Sequence, residues 1–188
     1  MSAALILASA SPRRRAILEQ IGVVFEVAVA EVEELTDGDP ATVAGENARR
    51  KAVAAAERHP GRTVLAADTV VSLDGRILPK PRDAAQAGDW LSALSGREHR
   101  VTTAVCVLEA GHPREAVSST EVRFRSLGRA EIDWYIASEE WRGKAGGYAI
   151  QGRGAALVES ISGDYWTIVG LPVAPLLELL GPGVLTGG

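Results

Sequence analysis

The chain has 188 residues, 46% of them hydrophobic and 23% charged, with a formal net charge of −4. That composition carries enough apolar mass for a real core, and the length fits one domain over residues 1–188, with the glycine-rich tail after about 181 expected to fray. An acidic balance argues against a general binder of nucleic-acid polymers, and no apolar run approaches membrane-span length.

The single cysteine, Cys106, lies in an apolar run and reads as a small core residue. One cysteine excludes a disulfide framework and a cysteine-type zinc site within the chain. The N-terminal apolar run is too short for a signal peptide, and its arginines follow it instead of preceding it, so a cytoplasmic location is expected.

In chain order, Leu5 to Ala8 reads as a strand. Pro12 to Gln20 reads as a helix capped by Ser11, with Pro12 at its first position and Gly22 beyond its end. Val23, Phe25, Val27 and Val29 alternate as a second strand. An acidic loop with Glu31, Glu33 and Glu34 leads to Asp39-Pro40, which opens an alanine-rich helix to Arg58. The apolar run Thr63 to Val71 fits a strand buried on both faces. Asp74-Gly75 signals a hairpin into Ile77-Leu78. Asp83 and Gln86 form a capping-box pattern for a helix ending near Gly96. Val101–Leu108 and Val117–Phe124 read as strands, and Ile132, Tyr135 and Ile136 mark a helix. A glycine-rich stretch, 143–154, precedes an expected strand through Ala155–Ile161, a turn at Gly163-Asp164, and a helix from Leu171-Pro172 to Leu180. The interleaving predicts an α/β fold, a mixed sheet flanked by helices.

Several positions carry chemistry. Ser9, Ser11, Arg13, Arg14 and Arg15 place arginines in the first turn of a helix, where the dipole disfavours them. An anion docking on that turn would neutralise them, phosphate being the natural candidate; a solvated basic turn is the alternative. Asp68 interrupts an apolar strand, so it either faces a cleft as metal ligand or general base, or is satisfied by an internal partner. Asn47 and Lys51 share a helix face with Val43 and Ala55, so Lys51 either snorkels to solvent or points at a phosphate in a cleft. Pro81 holds its segment extended, so Lys80 is a candidate phosphate hand or a surface lysine. Glu33 and Glu34 suit a magnesium site that takes one or two carboxylates plus substrate phosphates, or else a solvated loop. A buried Gln151 would offer one acceptor and two donors, matching O4 and N3–H of uracil or thymine, or would be a satisfied core amide. His59, His99 and His112 lack metal-ligand spacing, there is no Walker A loop and no GxSxG elbow, and nothing suggests covalent catalysis.

Taken together, the blocks Leu7–Arg14, Asn47–Ala52, Ala67–Val71, Leu78–Asp83, Leu94–His99, Lys144–Gly152 and Val169–Pro172 resemble the Maf proteins, nucleoside triphosphate pyrophosphatases related in fold to the inosine triphosphatases. The resemblance implies two lobes around a central cleft and metal-dependent hydrolysis of a nucleoside triphosphate to monophosphate and pyrophosphate. It puts the catalytic acid-base position on Asp68 and substrate discrimination on Arg13, Thr69 and Gln151. Arg13, Lys51 and Lys80 would neutralise the triphosphate, Ser9 would be a further substrate-binding residue, and Mg²⁺ or Mn²⁺ would sit on Asp68 and Glu34. The form Tyr148-Ala149-Ile150-Gln151-Gly152 resembles the branch acting on dTTP and UTP rather than on 7-methyl-GTP. The departures are Ala66, where glycine is often found, and Pro79 before Lys80, and neither removes a functional group. A homodimer and a link to septum formation also follow from the resemblance. The competing expectations are a nucleotide-sensing regulator without turnover, and the same reaction on 7-methyl-GTP or modified pyrimidine nucleotides.

Overall fold

A computed structural model of the chain describes residues 5–181 and 183–186. Its framework is one sheet in the order β2-β1-β3-β5-β6-β7, with β4 hydrogen-bonded to the far end of β3. The strands are β1 (Leu5–Leu7), β2 (Phe25–Val27), β3 (Val64–Leu73), β4 (Arg76–Ile77), β5 (Glu98–Glu109), β6 (His112–Phe124) and β7 (Val158–Ser162). β1 runs parallel to both β2 and β3, and all remaining pairings are antiparallel, so the sheet is mixed. The helices are α1 (Pro12–Gln20), α2 (Pro40–Arg58), α3 (Ala84–Leu94), α4 (Arg129–Ala137), α5 (Tyr165–Val169), α6 (Val173–Leu180) and the short α7 (Gly183–Thr186). Part of the tail expected to fray lies outside the described residues, and among these no helix is long and apolar enough to cross a membrane.

Two apolar cores flank the sheet, and strand parity sorts residues between them. Along β3, Val64, Ala66 and Val70 join a cluster with Val43, Ala44, Ala48, Ala52 and Ala55 of α2. Leu65, Ala67 and Val71 join the larger cluster on the opposite face, with Ile17, Leu18, Leu91, Tyr135 and Leu176. Period-two alternation in the strand and a stripe at 44, 48, 52 and 55 in the helix are the two signatures that bring these surfaces together. The alanines let α2 lie close on the sheet. Ser11 caps α1 through Arg14 N–H, and Asp39 caps α2 through Thr42 N–H.

One irregularity of the sheet creates the space for a site. β1 pairs with β3 only at Ile6↔Val64 and Leu7↔Leu65, after which the chain turns into α1. β3 continues, and β4 rejoins it only at Ser72 and Leu73. Between those points the edge of β3 on the β1 side has no strand beside it among the described residues, and Asp68 and Thr69 lie in that gap.

Four local expectations change. The second strand covers only Phe25–Val27, the residues paired with Leu5–Leu7; Val23 is buried before it and Val29 exposed beyond it. β6 begins at His112, since a tight turn with positive φ at Ala110 and Gly111 joins it directly to β5; its polar first half hides it from a hydrophobic reading. Gly152–Leu157 forms 3-10 turns, and the last strand starts at Val158. The closing helix is preceded by a separate one, α5, whose cap Asp164 accepts from Thr167 N–H. The Asp74-Gly75 hairpin forms as expected, with positive φ at both residues.

At the start of β5, His99 is buried and packs edge-on against Phe124 and Tyr148, with ring centroids 4.9 and 5.4 Å away. Its Nε2 lies 2.7 Å from the Tyr148 hydroxyl, and Nδ1 has no partner. Burial lowers its pKa from 6.5 to about 4. The unfolded chain therefore binds a proton on this residue more readily than the folded one. The associated stability is complete above pH 6.5 and is lost as pH falls through 4, amounting to about 3 kcal/mol. Thermal unfolding of His99→Gln across pH 4 to 7 should show a shallower acid slope than the wild type; an unchanged slope would remove His99 as its source.

Candidate active site

A cavity of about 350 Å³ opens over the gap in the sheet. Its walls come from the β1–α1 junction, the acidic loop, α2, β3, Lys80 and the glycine-rich stretch from 143 to 151. Five cations (Arg13, Arg14, Lys51, Lys80 and Lys144) face two carboxylates, Glu34 and Asp68, so the cavity is positive although the chain is negative. That sign selects an anionic ligand.

Parity places the acid. Asp68 shares the α2-facing side of β3 with Ala66 and Val70, while Asn47 and Lys51 stand on the inward stripe of α2. Asn47 Nδ2 donates to Asp68 Oδ2 at 3.0 Å, and Lys51 Nζ donates to Oδ1 at 2.6 Å. Asn47 also clamps the acidic loop, donating to Leu35 O and accepting from Leu35 N–H. This clamp brings Glu34 to Lys51 Nζ at 2.6 Å, and Lys80 Nζ reaches the other Glu34 oxygen at 3.0 Å. Lys51 thus bridges two carboxylates with a side chain only 11% exposed, so it does not snorkel. Burial opposes ionisation of Glu34, but hydrogen bonds from Lys51 and Lys80, together with their charges, outweigh it and hold the carboxyl at about 2. Glu33 stands exposed outside the cavity, and its backbone carbonyl accepts from Arg50.

The other face of β3 carries a different network. Thr69 meets Arg14, whose guanidinium is buried and donates to Thr69 Oγ1 (3.1 Å), Ser9 Oγ (3.0 Å) and Gly170 O (2.8 Å). Arg13 donates more weakly to Val169 O at 3.3 Å. Burial lowers the pKa of both arginines. Part of the basic first turn of α1 is thus held by carbonyls at the end of α5. Arg14 and Lys144 are cavity residues that pattern reasoning on single positions did not separate from their neighbours. A buried arginine without a carboxylate partner is visible only once the fold exists.

Gln151 lines the cavity but is exposed, so the expectation of a buried amide is corrected. The loop that presents it is fixed by close packing. A Cβ on Gly146 (φ 67°) would lie 2.7 Å from Val71 Cγ1, and one on Gly154 would lie 1.8 Å from Ala149 O. Tyr148 and Ala149, which line the cavity, are tied to His99 and to the Tyr135 hydroxyl respectively. The structure therefore gathers Ser9, Arg13, Glu34, Lys51, Asp68, Thr69, Lys80 and Gln151 around one space.

The donor set suits a hard divalent cation. Both carboxylates reach Lys51 Nζ, and magnesium often takes only one or two protein carboxylates, leaving its other positions to water and substrate phosphates. Glu34 and Asp68 are the residues that would hold it.

The profile of the family described as Maf-like protein matches residues 4–182, and the chain belongs to that family. Proteins named dTTP/UTP pyrophosphatase from Symbiobacterium thermophilum and Deinococcus radiodurans are 47% and 48% identical to it, over 98% and 97% of this chain and 97% and 95% of theirs. The protein of that name from Pyrococcus furiosus is 43% identical over 94% of this chain and 93% of its own. The solved Staphylococcus aureus Ham1 protein overlaps with a TM-score of 0.47 at 15% identity, covering 65% of this chain and 72% of that one, too little to support an argument about function.

Removing the shared cation should expose its role. In Lys51→Met the two carboxylates face each other without a bridge, so the Glu34 carboxyl should titrate well above 2. Carbon-detected NMR titration reads this directly, and a value still near 2 would show that Lys80 alone sets it.

Proposed function

We propose that this protein hydrolyses pyrimidine nucleoside triphosphates, dTTP and UTP foremost, to the monophosphate and pyrophosphate, with a divalent cation on Asp68 and Glu34. The observation that carries the reading is Asp68: an acid held at both oxygens by Asn47 and Lys51, at the floor of a cavity with five cations. The names of the full-length relatives supply the substrate class.

Arg13, Lys80 and Lys144 stand where a polyphosphate chain would meet positive charge on several sides. Ser9 Oγ already accepts from Arg14 Nη1 and Ser11 N–H, so its own proton is free to go to a phosphate oxygen. Lys51 pairs with Glu34 and Asp68, and Lys80 with Glu34. A triphosphate competes for these lysines. As Lys51 turns to it, Asp68 Oδ1 is released while Asn47 keeps Oδ2 oriented. Oδ1 then takes the proton of a water whose oxygen attacks the α-phosphorus. The bond from that phosphorus to the bridging oxygen breaks, and pyrophosphate leaves. Bound Mg²⁺ or Mn²⁺ would supply charge neutralisation at the phosphoryl oxygens. Gln151, at the exposed end of the cavity, offers its amide to O4 and N3–H of the base. Such an activity would clear nucleotides before a polymerase meets them, a house-cleaning role.

Pyrophosphate release should be measured over dTTP, UTP, CTP, GTP, 7-methyl-GTP and ITP, with Mg²⁺ or Mn²⁺ and with chelator. Release from dTTP and UTP that needs metal, and that falls about 100-fold or more in Asp68→Asn, is the expected result. Undiminished release by the variant would take the acid out of the mechanism, and none from the wild type would leave a binding role.

A further inference from the structure

Thr69 and Thr103 stand opposite each other on β3 and β5, and their hydroxyl oxygens are 2.9 Å apart. Either could donate if only this pair were considered. The surrounding partners remove the choice. Thr103 is fully buried, and its Oγ1 lies 2.7 Å from the carbonyl oxygen of Thr167, which can only accept. A hydroxyl has one proton, so Thr103 spends its proton on Thr167. The hydrogen between the two threonines must then belong to Thr69.

On its other side, Thr69 Oγ1 receives a hydrogen from Arg14 Nη2, and a guanidinium never accepts. The chain of donations runs one way, from Arg14 to Thr69 to Thr103 to the Thr167 carbonyl. Its far end is anchored, because Thr167 N–H and Oγ1 are both held by Asp164, the cap of α5. Thr69 is only half-buried and lines the cavity, with one lone pair left and no proton to offer.

We infer that Thr103 is a positioning residue that fixes Thr69 as a one-way hydrogen-bond acceptor toward the cavity, so that the nucleotide is selected there for a hydrogen-bond donor. The inference rests on the nucleotide reading above. Two donors on a pyrimidine deoxynucleotide qualify: the 3′-hydroxyl of the sugar and, where Thr69 rather than Gln151 is its acceptor, N3–H of the base. A group that can only accept, such as the bare N3 of cytosine, meets a lone pair and is disfavoured. The wrong nucleotide is disfavoured because it would close Thr69 Oγ1 off from water while facing it with a second acceptor.

A neutron crystal structure of the perdeuterated wild-type protein reads the central point without any activity. The deuterium should sit on Thr69 Oγ1 directed at Thr103; a deuterium on Thr103 directed at Thr69 overturns the inference. Kinetics then locate the donor. In Thr103→Val the Thr69 proton is freed, and the kcat/KM ratio of UTP over CTP should fall about tenfold if the base is read. If the sugar is read, the ratio of dTTP over its 3′-deoxy analogue should fall by a similar factor. Thr103→Ser keeps the hydroxyl and should restore the wild-type ratio. Both ratios unchanged in a folded Thr103→Val protein would contradict the inference while leaving the hydrolase reading intact. A wild type that releases no pyrophosphate would refute the hydrolase reading, and the neutron map would still decide the proton.

Discussion

The site depends on β1 ending early. After Leu65, β3 runs on without its parallel neighbour, and the chain that would have filled the gap turns instead into α1. That one departure from a complete sheet leaves a strand edge facing a cavity. It also puts a helix N-terminus beside that edge, where backbone N–H groups and arginines converge. Because strand residues alternate, consecutive positions serve opposite walls: Asp68 belongs to the side of α2, and Thr69 to the side of Arg14. A shift of one residue in register would exchange the acid and the hydroxyl and abolish both networks.

Charge balance holds the cavity together. Five cations in one space would repel one another. Two of them, Lys51 and Lys80, rest on Glu34 and Asp68, while Arg13 and Arg14 rest on carbonyls of Val169 and Gly170. The partners differ in consequence. The lysines lie on flexible stems, held by ion pairs that a polyphosphate can compete for. The Arg14 guanidinium is buried and held from three elements, so it stays as a fixed source of hydrogen bonds. Part of the site is therefore movable and part is rigid, and the rigid part sets the direction of the hydroxyls around it.

Much of this was legible in the sequence because a few residues break strong patterns. Asp68 interrupts an apolar strand, and Asn47 and Lys51 are polar residues on the helix face shared with Val43 and Ala55. Both features are visible before any fold is known, and two independent periodicities then bring them together. The Asp74-Gly75 turn and the caps at Ser11, Asp39 and Asp83 follow from local chemistry and form as expected. What stayed hidden depends on tertiary context. α5 is five residues long, too short for a periodic signal. Arg14 reads like Arg13 and Arg15 until the turn at Gly170 closes over it. Thr103 reads as one more strand residue in β5, and its role follows only from three neighbours on three other segments: Thr69, Thr167 and, through Thr69, Arg14. Gln151 is exposed although Ile150 before it is buried in the core, a difference that only the folded loop shows.

In the proposed reaction a water activated at Asp68 attacks the α-phosphorus. Hydrolysis of dTTP in water enriched in oxygen-18 tests that directly, with mass spectrometry of both products. The account predicts one heavy oxygen in the monophosphate and none in the pyrophosphate. Label appearing in the pyrophosphate would mean attack at the β-phosphorus and would contradict the placement of Asp68 in the reaction.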